Sequence, residues 1–363
     1  MLFPKLYSLM TAGVEESVFP GAVLLVGLGE EVLVHRAFGY AALVPEKQPL
    51  QEKTIFDLAS LTKPLATTLG IMDLIEKGRL SLDQPLDSNG KGFLGPEKSG
   101  VTLRHLLAHS AGFQAYRPYY LDLDRETGDK KKKLREWVKK DRLLYPPGSQ
   151  VLYSDLGFIL LEWIFEETAG EALDTWANNI YSSLGLTHLG FRPIKPAGVT
   201  DPEIYAATED CPWRKKVLRG EVHDENAYAV GGVSGQAGLF GTAAEIFLLL
   251  RALKRAYDHL ETPHRFDGRL IRLFWERQKQ PAGTTRALGF DTPSKTGSSA
   301  GGFFSPESVG HLGFTGTSFW LDLERDLTVI LLTNRIHPTR ANEKIKAFRP
   351  LIHDFVYKEV IGK

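Results

Sequence analysis

The segments of this chain that read as β-strand lie at its two ends, and the long stretch between them reads mainly as helix. Gly21 to Gly27 and Val32 to Tyr40 are apolar, β-branched runs parted by Leu28, Gly29, Glu30 and Glu31, the pattern of a hairpin. Ser308 to Gly313, Thr317 to Leu323 and Leu327 to Thr333 repeat it near the other end, with the polar turn Glu324, Arg325 and Asp326 between the last two. A helical period then closes the chain from about Asn342 to Val360. Between the strand groups, Leu61 to Lys77, Leu103 to His109, Lys131 to Lys140, Leu156 to Thr168, Ala172 to Tyr181 and Ala243 to Tyr257 carry helical spacing. Strands so far apart must meet in one sheet, which predicts an α+β fold: an antiparallel sheet from the N- and C-terminal strands, flanked by helices, with a helical region inserted. The expected organisation is a single domain over residues 1–363, with its sheet region at about 1–56 and 285–363 and its helical region at about 57–284.

At 363 residues, 43% hydrophobic and 24% charged, the chain can bury a core without staples. Lys plus Arg and Asp plus Glu number 44 each, so the positive field that nucleic-acid binding draws on is missing and no nucleic-acid partner is expected. Cys211 is the only cysteine, which excludes an intramolecular disulfide and leaves a zinc site short of thiolates. Neither metal nor cofactor is expected. Met1 to Pro20 lacks the pattern of an export signal, and the best membrane candidate, Phe158 to Phe165, is interrupted by Glu162, so a cytoplasmic protein without membrane contact is the expectation. Oligomeric state is not legible. The Lys130 to Lys133 run, flanked by Glu126, Asp129 and Glu136, reads as a solvated face.

Three short patterns could carry chemistry. Ser60-Leu61-Thr62-Lys63 stands where a loop enters a helical pattern, so the two side chains fall about one turn apart on one face, and a serine hydroxyl needs a neighbouring base to become a nucleophile. Ser88-Asn89-Gly90-Lys91 repeats the spacing, but in a glycine-containing polar stretch that cannot hold a helical face. Tyr153-Ser154-Asp155 precedes the helix beginning near Leu156; its phenol could relay protons, while Ser154 or Asp155 could simply cap that helix. Gly310-His311-Leu312-Gly313-Phe314 is an apolar strand punctuated by glycines, which permit close approach to the backbone.

In this order and at these spacings, Ser60-x-x-Lys63, Tyr153-x-Asp155 and His311-x-Gly313 resemble the three motifs of class C β-lactamases, D-Ala-D-Ala peptidases and β-lactamase-like esterases, within the penicillin-binding protein superfamily. Leu106-Leu107-Ala108-His109-Ser110-Ala111-Gly112, Gly235-Gln236-Ala237-Gly238-Leu239-Phe240 and Leu332-Thr333-Asn334-Arg335 also look like recurrent segments of that family, so the resemblance spans nearly the whole chain. Lys295-Thr296-Gly297 spells the third motif literally but lies among Pro293, Ser294, Ser298 and Ser299, a loop composition, and His311 is preferred because it lies in a strand. Other readings are weaker. Gly27-x-Gly29 lacks the third glycine and the helix of a dinucleotide site, Ser234 followed by Gly235 and Gln236 does not make a Gly-x-Ser-x-Gly elbow, and the adjacent His223, Asp224 and Glu225 project differently, unlike a metal site. His109 reads as a satisfied, partly buried histidine.

The resemblance implies a β-lactamase/transpeptidase-like fold and an acyl-enzyme formed on Ser60, with Lys63 and Tyr153 sharing proton transfer. It also implies an oxyanion held by the backbone N–H groups of Ser60 and Phe314, with Asp155, His311, Gly313 and Phe314 facing substrate. Lys63 and Tyr153 both stay open as the base, since a carboxylate at 155 favours the ammonium form of Lys63. Two departures bear on substrate. Asp155 replaces an amide-bearing residue and loses its NH2 donors, and His311 replaces a lysine and is expected to carry charge only in mild acid. Both favour small esters or amides over β-lactams or D-Ala-D-Ala peptides. The alternative from another class is a non-catalytic ligand-binding protein on the same fold.

Overall fold

A computed structural model describes residues 3–87, 93–194, 198–260 and 266–362. The two ends of the chain pair. Six strands form an antiparallel sheet in the spatial order Gln48–Pro49, Glu31–Ala42, Gly21–Leu28, Leu327–Thr333, Ser318–Asp322 and Val309–Leu312. Its centre is the seam between the first and last long strands, where Leu24 faces Leu331 and Val26 faces Val329. Every residue of Leu327–Thr333 is buried, because both faces of the sheet are covered.

Strand alternation sorts the side chains between two cores. Ala22, Leu24, Val26, Val329 and Leu331 face Leu6 and Met10 of helix Pro4–Glu15 and Phe348 and Ile352 of helix Ile345–Val360. Val23, Leu25, Ile330 and Leu332 face the opposite way, into the larger core shared with helix Ala243–Tyr257 and the inserted helical region.

The inserted region departs from the sequence expectation in its first element. Leu61 to Lys77 is not one regular helix: Ala59–Leu61 is a 3-10 turn, Lys63–Thr67 a π-helical turn, and the α-helix proper runs over Thr68–Glu76. Pro64 has no N–H to give an α-ladder, and the Thr62 hydroxyl donates to the Ala59 carbonyl at 2.6 Å. Short elements without usable periodicity also went unread, among them helix Gly268–Trp275 and a small sheet in which Leu239–Gly241 pairs with Phe56–Asp57 and Gly190–Phe191. The Ser88 to Lys91 copy lies outside the described residues apart from its flanks.

The lysine run is not all solvated. Lys131 turns inward to Glu162 and to Glu166 at 2.9 Å, and Arg135 joins both carboxylates. The charge that interrupts the apolar helix Asp155–Ala169 is therefore paired where it is buried. No helix among the described residues is long and apolar enough to cross a membrane.

Asn334 ties the chain ends together. Its Oδ1 accepts from Gly21 N at 2.9 Å, and its Nδ2 donates to the carbonyls of Tyr40 and Ala41 at 3.2 and 3.1 Å. We expect Asn334→Ala to lower unfolding free energy by about 3 kcal/mol, since it leaves buried backbone groups unpaired. Asn334→Asp should also destabilise, because its carboxylate would face two carbonyls. Urea unfolding measures both, and a loss under about 0.5 kcal/mol for Asn334→Ala would contradict this role.

Candidate functional site

The turn that presents Ser60 is held from several sides. Ala59 sits at φ 48°, in the left-handed region that a side chain disfavours. Asp57 fixes it: Oδ1 accepts from Ala59 N at 2.8 Å and Oδ2 from His223 N at 2.6 Å. The carbonyls of Asp57 and Leu58 accept from the hydroxyls of Thr315 and Thr317 at 2.8 and 3.0 Å. Ala59 and Leu61 are buried while Ser60 between them stays partly open.

Lys63 is buried directly beneath. Its Nζ donates to Ser60 Oγ at 3.0 Å, to Asp155 Oδ1 at 2.7 Å and to the Gln236 carbonyl at 3.1 Å, and lies 4.9 Å from the centre of the Tyr153 ring. The segment Gly235 to Phe240 thus supplies a carbonyl to the lysine, and Gly235 must be glycine because a Cβ would lie 2.1 Å from the Phe158 carbonyl. Burial pulls the Lys63 ammonium toward neutrality, but Asp155 and Tyr153 outweigh it and hold its pKa above the usual lysine value. Burial raises the Tyr153 phenol, Asp155 pushes the same way, and the attraction of Lys63 only partly opposes them. Asp224 lies behind; burial and then Asp155 raise its carboxyl to about 6 while it accepts from Gln236 Nε2 at 3.2 Å.

His109 sets the position of Tyr153. The two rings lie 4.4 Å apart, and His109 Nδ1 accepts from Ser154 N at 3.0 Å. Burial, with Arg286 and Lys63 nearby, keeps His109 neutral, its pKa well below the usual histidine value. The capping role falls to Ser154, whose Oγ accepts from Gly157 N, leaving Asp155 free to meet Lys63.

The strand Val309–Leu312 brings His311 to 6.0 Å from the Tyr153 ring. Here an expectation fails: His311 does not gain charge in mild acid. It is buried, and desolvation together with Lys63 and Arg286 drives its pKa well below the usual value. Nδ1 donates to the Leu312 carbonyl at 2.9 Å, which leaves Nε2 an unpartnered acceptor. Gly313 serves close packing: a Cβ there would meet Leu58 O at 2.7 Å and Thr317 Oγ1 at 2.0 Å. Phe314 is about half exposed and stacks on His223 at 5.6 Å, and neither its N–H nor that of Ser60 donates to any described residue. Lys295, Thr296 and Gly297 lie in an exposed bend. His223 and Glu225 belong to one network, in which Arg340 contacts Glu209, His223 and Glu225 while His223 also meets Glu209, whereas Asp224 caps helix Glu225–Ala229.

Sequence reasoning missed Arg286. Its guanidinium lies 5.4 Å from the Tyr153 ring, ion-paired with Asp291, on a hairpin that pairs with Gly310. A lone charge just before the apolar run Ala287 to Phe290 was the only signal.

Comparison with known proteins bears on the family and the fold. A protein of Escherichia coli K12 named "Putative D-alanyl-D-alanine carboxypeptidase" is 31% identical over 347 residues, covering 88% of this chain and 79% of that protein. Among solved structures, EstCE1, described as a hydrolase with promiscuous acyltransferase activity, superposes with a TM-score of 0.72 at 21% identity, covering 95% of this chain and 97% of that one. The octameric penicillin-binding protein homologue from Pyrococcus abyssi does so at 0.73 and 20% identity, covering all of this chain and 78% of its own. These likenesses give a β-lactamase/transpeptidase-like fold, and the match to the Beta-lactamase family over residues 6–352 establishes that the chain belongs to that family of hydrolases.

Proposed function

We propose that this chain is a serine hydrolase that acts on small ester or amide substrates through an acyl-enzyme on Ser60. The observation that carries the reading is the hydrogen bond between the partly open Ser60 hydroxyl and a buried ammonium, at a strained turn. Because Asp155 keeps the proton on Lys63, the group that accepts the serine proton is Tyr153 after it has lost its own, a phenolate that the Lys63 ammonium stabilises and that returns to the phenol as Ser60 gives up its proton. Ser60 Oγ bonds to the carbonyl carbon as its proton passes to Tyr153, and the carbonyl electron pair moves onto oxygen, facing the free N–H groups of Ser60 and Phe314. Collapse breaks the bond to the leaving group, which takes the proton, and water repeats the sequence to release the acid.

A second reading is a carboxypeptidase for substrates ending in a carboxylate. The guanidinium of Arg286 beside Tyr153 and the name of the E. coli relative favour it. Neutral His311 and the engagement of Arg286 by Asp291 favour the small neutral substrate.

A fluorophosphonate probe should label Ser60, and Ser60→Ala should abolish both labelling and hydrolysis of p-nitrophenyl esters while the fold persists. Tyr153→Phe should lower turnover about a hundredfold, the scale of a positioned proton-transfer group. No labelling of folded wild type would favour a ligand-binding protein instead.

Asp155 raises the pKa of both Lys63 and Tyr153, so proton loss from the pair, and with it kcat/KM, should climb with pH on the alkaline side. Removing that negative charge lowers both pKa values. Asp155→Asn should therefore move the rising limb of the pH–rate profile toward lower pH, and an unmoved or alkaline-shifted limb would contradict the proton placement.

If the carboxypeptidase reading holds, Arg286→Leu should cost about tenfold or more in kcat/KM for a peptide with a free C-terminal carboxylate relative to its amide, as for loss of a charge-assisted contact. That ratio should stay flat between pH 6 and 8 because His311 stays neutral. A ratio insensitive to Arg286→Leu would leave the small-ester reading alone.

A further inference from the structure

Two guanidiniums grip the turn that follows His311, and one of them has no counter-charge. Arg335 Nε and Nη2 donate to the Phe314 carbonyl at 3.0 and 2.7 Å. Arg349, from helix Ile345–Val360, reaches up from below the sheet, and its Nη2 donates to the Gly313 carbonyl at 3.2 Å and to the Thr317 carbonyl at 2.9 Å. Among the described residues no carboxylate pairs with Arg349, and its Nε has no partner. Burial, with Arg335 close by, lowers its pKa to about 10. A cation buried against carbonyls alone is costly, and an apolar side chain would fill the place without that cost.

What the guanidinium touches suggests why it is there. The Gly313 carbonyl and the Phe314 N–H belong to one peptide group. A cation on the oxygen draws electron density from the nitrogen, makes the N–H a stronger donor, and fixes the plane in which it points. The opposite edge of the same turn is held by the Gly316 N–H, which donates to the Gly313 carbonyl at 3.1 Å, and by Gly313 N, which donates to Thr317 O at 2.7 Å.

We propose that Arg349 is a positioning residue for the oxyanion site: by holding the Gly313 carbonyl it aims and polarises the Phe314 N–H toward the carbonyl oxygen of the substrate attacked by Ser60. This rests on the acyl-enzyme reading of Ser60. Arg349 touches no substrate, and its effect reaches the reaction only through that peptide group.

The test pairs an ester with its thiono analogue, p-nitrophenyl acetate with p-nitrophenyl thionoacetate, whose sulfur is a poor hydrogen-bond acceptor. Arg349→Met should lower kcat on the oxygen ester about tenfold or more, with KM little changed, and should lower the thiono ester far less, so that the oxygen-to-sulfur rate ratio falls. Arg349→Lys, which restores a cation, should recover part of the ratio. An equal loss on both esters would make Arg349 a structural residue only and overturn the proposal. Should Arg349→Met not fold, Arg349→Gln, which removes the charge but keeps a polar side chain, takes its place, and an equal loss on both esters in that variant overturns the proposal. Fluorophosphonate labelling of wild-type Ser60 separates the two levels: without it the acyl-enzyme reading fails and takes this inference with it, whereas labelling with an unchanged ratio sinks this inference alone.

Discussion

Lys63 is wholly buried, and its ammonium is hydrogen-bonded to a hydroxyl, a carboxylate and a carbonyl that come from three separate parts of the chain. An ammonium out of water costs several kcal/mol unless its donors are met, so these three partners are a condition of the fold as much as of the chemistry. Ser60 comes from the turn before the π-helical segment, Asp155 from the first residue of helix Asp155–Ala169, and the Gln236 carbonyl from the loop before strand Leu239–Gly241. Lys63 therefore forces these elements to one point. The same condition bears on its protonation, since Asp155 and Tyr153 outweigh burial and hold its pKa above the usual lysine value.

The carboxylate at 155 makes this site more polarised than an amide there would. It neutralises the lysine, yet it also raises the phenol beside it and, together with burial, the carboxyl of Asp224. On the other side of Tyr153 stand Arg286 and the neutral His311. The phenol thus lies near two cations, Lys63 at 4.9 Å and Arg286 at 5.4 Å from its ring centre, each of them paired with a carboxylate.

Much of this was legible because it is periodic or local. The strand runs show alternation strong enough to be matched across the chain, and Ser60, Lys63, Tyr153 and Asp155 stand out through the family resemblance of their motifs rather than through spacing alone, which Ser88 to Lys91 repeats. What failed to show depends on tertiary burial. Nothing in the sequence around His311 tells that its ring is sealed between Tyr153 and its own strand, so its charge was misjudged. Lys131 looked solvated because its partner, Glu162, lies on a helix whose packing face is set only on folding. Arg286 and Gln236 contribute through a hairpin and a backbone carbonyl, which leave no side-chain pattern. The π-helical turn after Ser60 was hidden too, since Pro64 is equally compatible with the first turn of an ordinary helix.

The sheet and the helical region meet at the site through hydrogen bonds, and this sets how exactly matched the two halves must be. Thr315 and Thr317 on the sheet side donate to the carbonyls of Asp57 and Leu58 on the side of Ser60. Gly313 lets them approach, with no room for a methyl group against Leu58 O. Apolar packing tolerates small sliding, whereas a hydrogen bond weakens steeply with misalignment. The Ser60 turn and the sheet turn that carries Phe314 are consequently held in register by directional contacts. Arg335 anchors that joint from the segment that also carries Asn334, so the residues that close the sheet also brace the Phe314 turn. The sheet assembled from the two ends of the chain and the Ser60 turn carried by the inserted region are thus joined by hydrogen bonds at Asp57 and Leu58, and Arg335 and Asn334 tie the seam between the chain ends to the Phe314 turn.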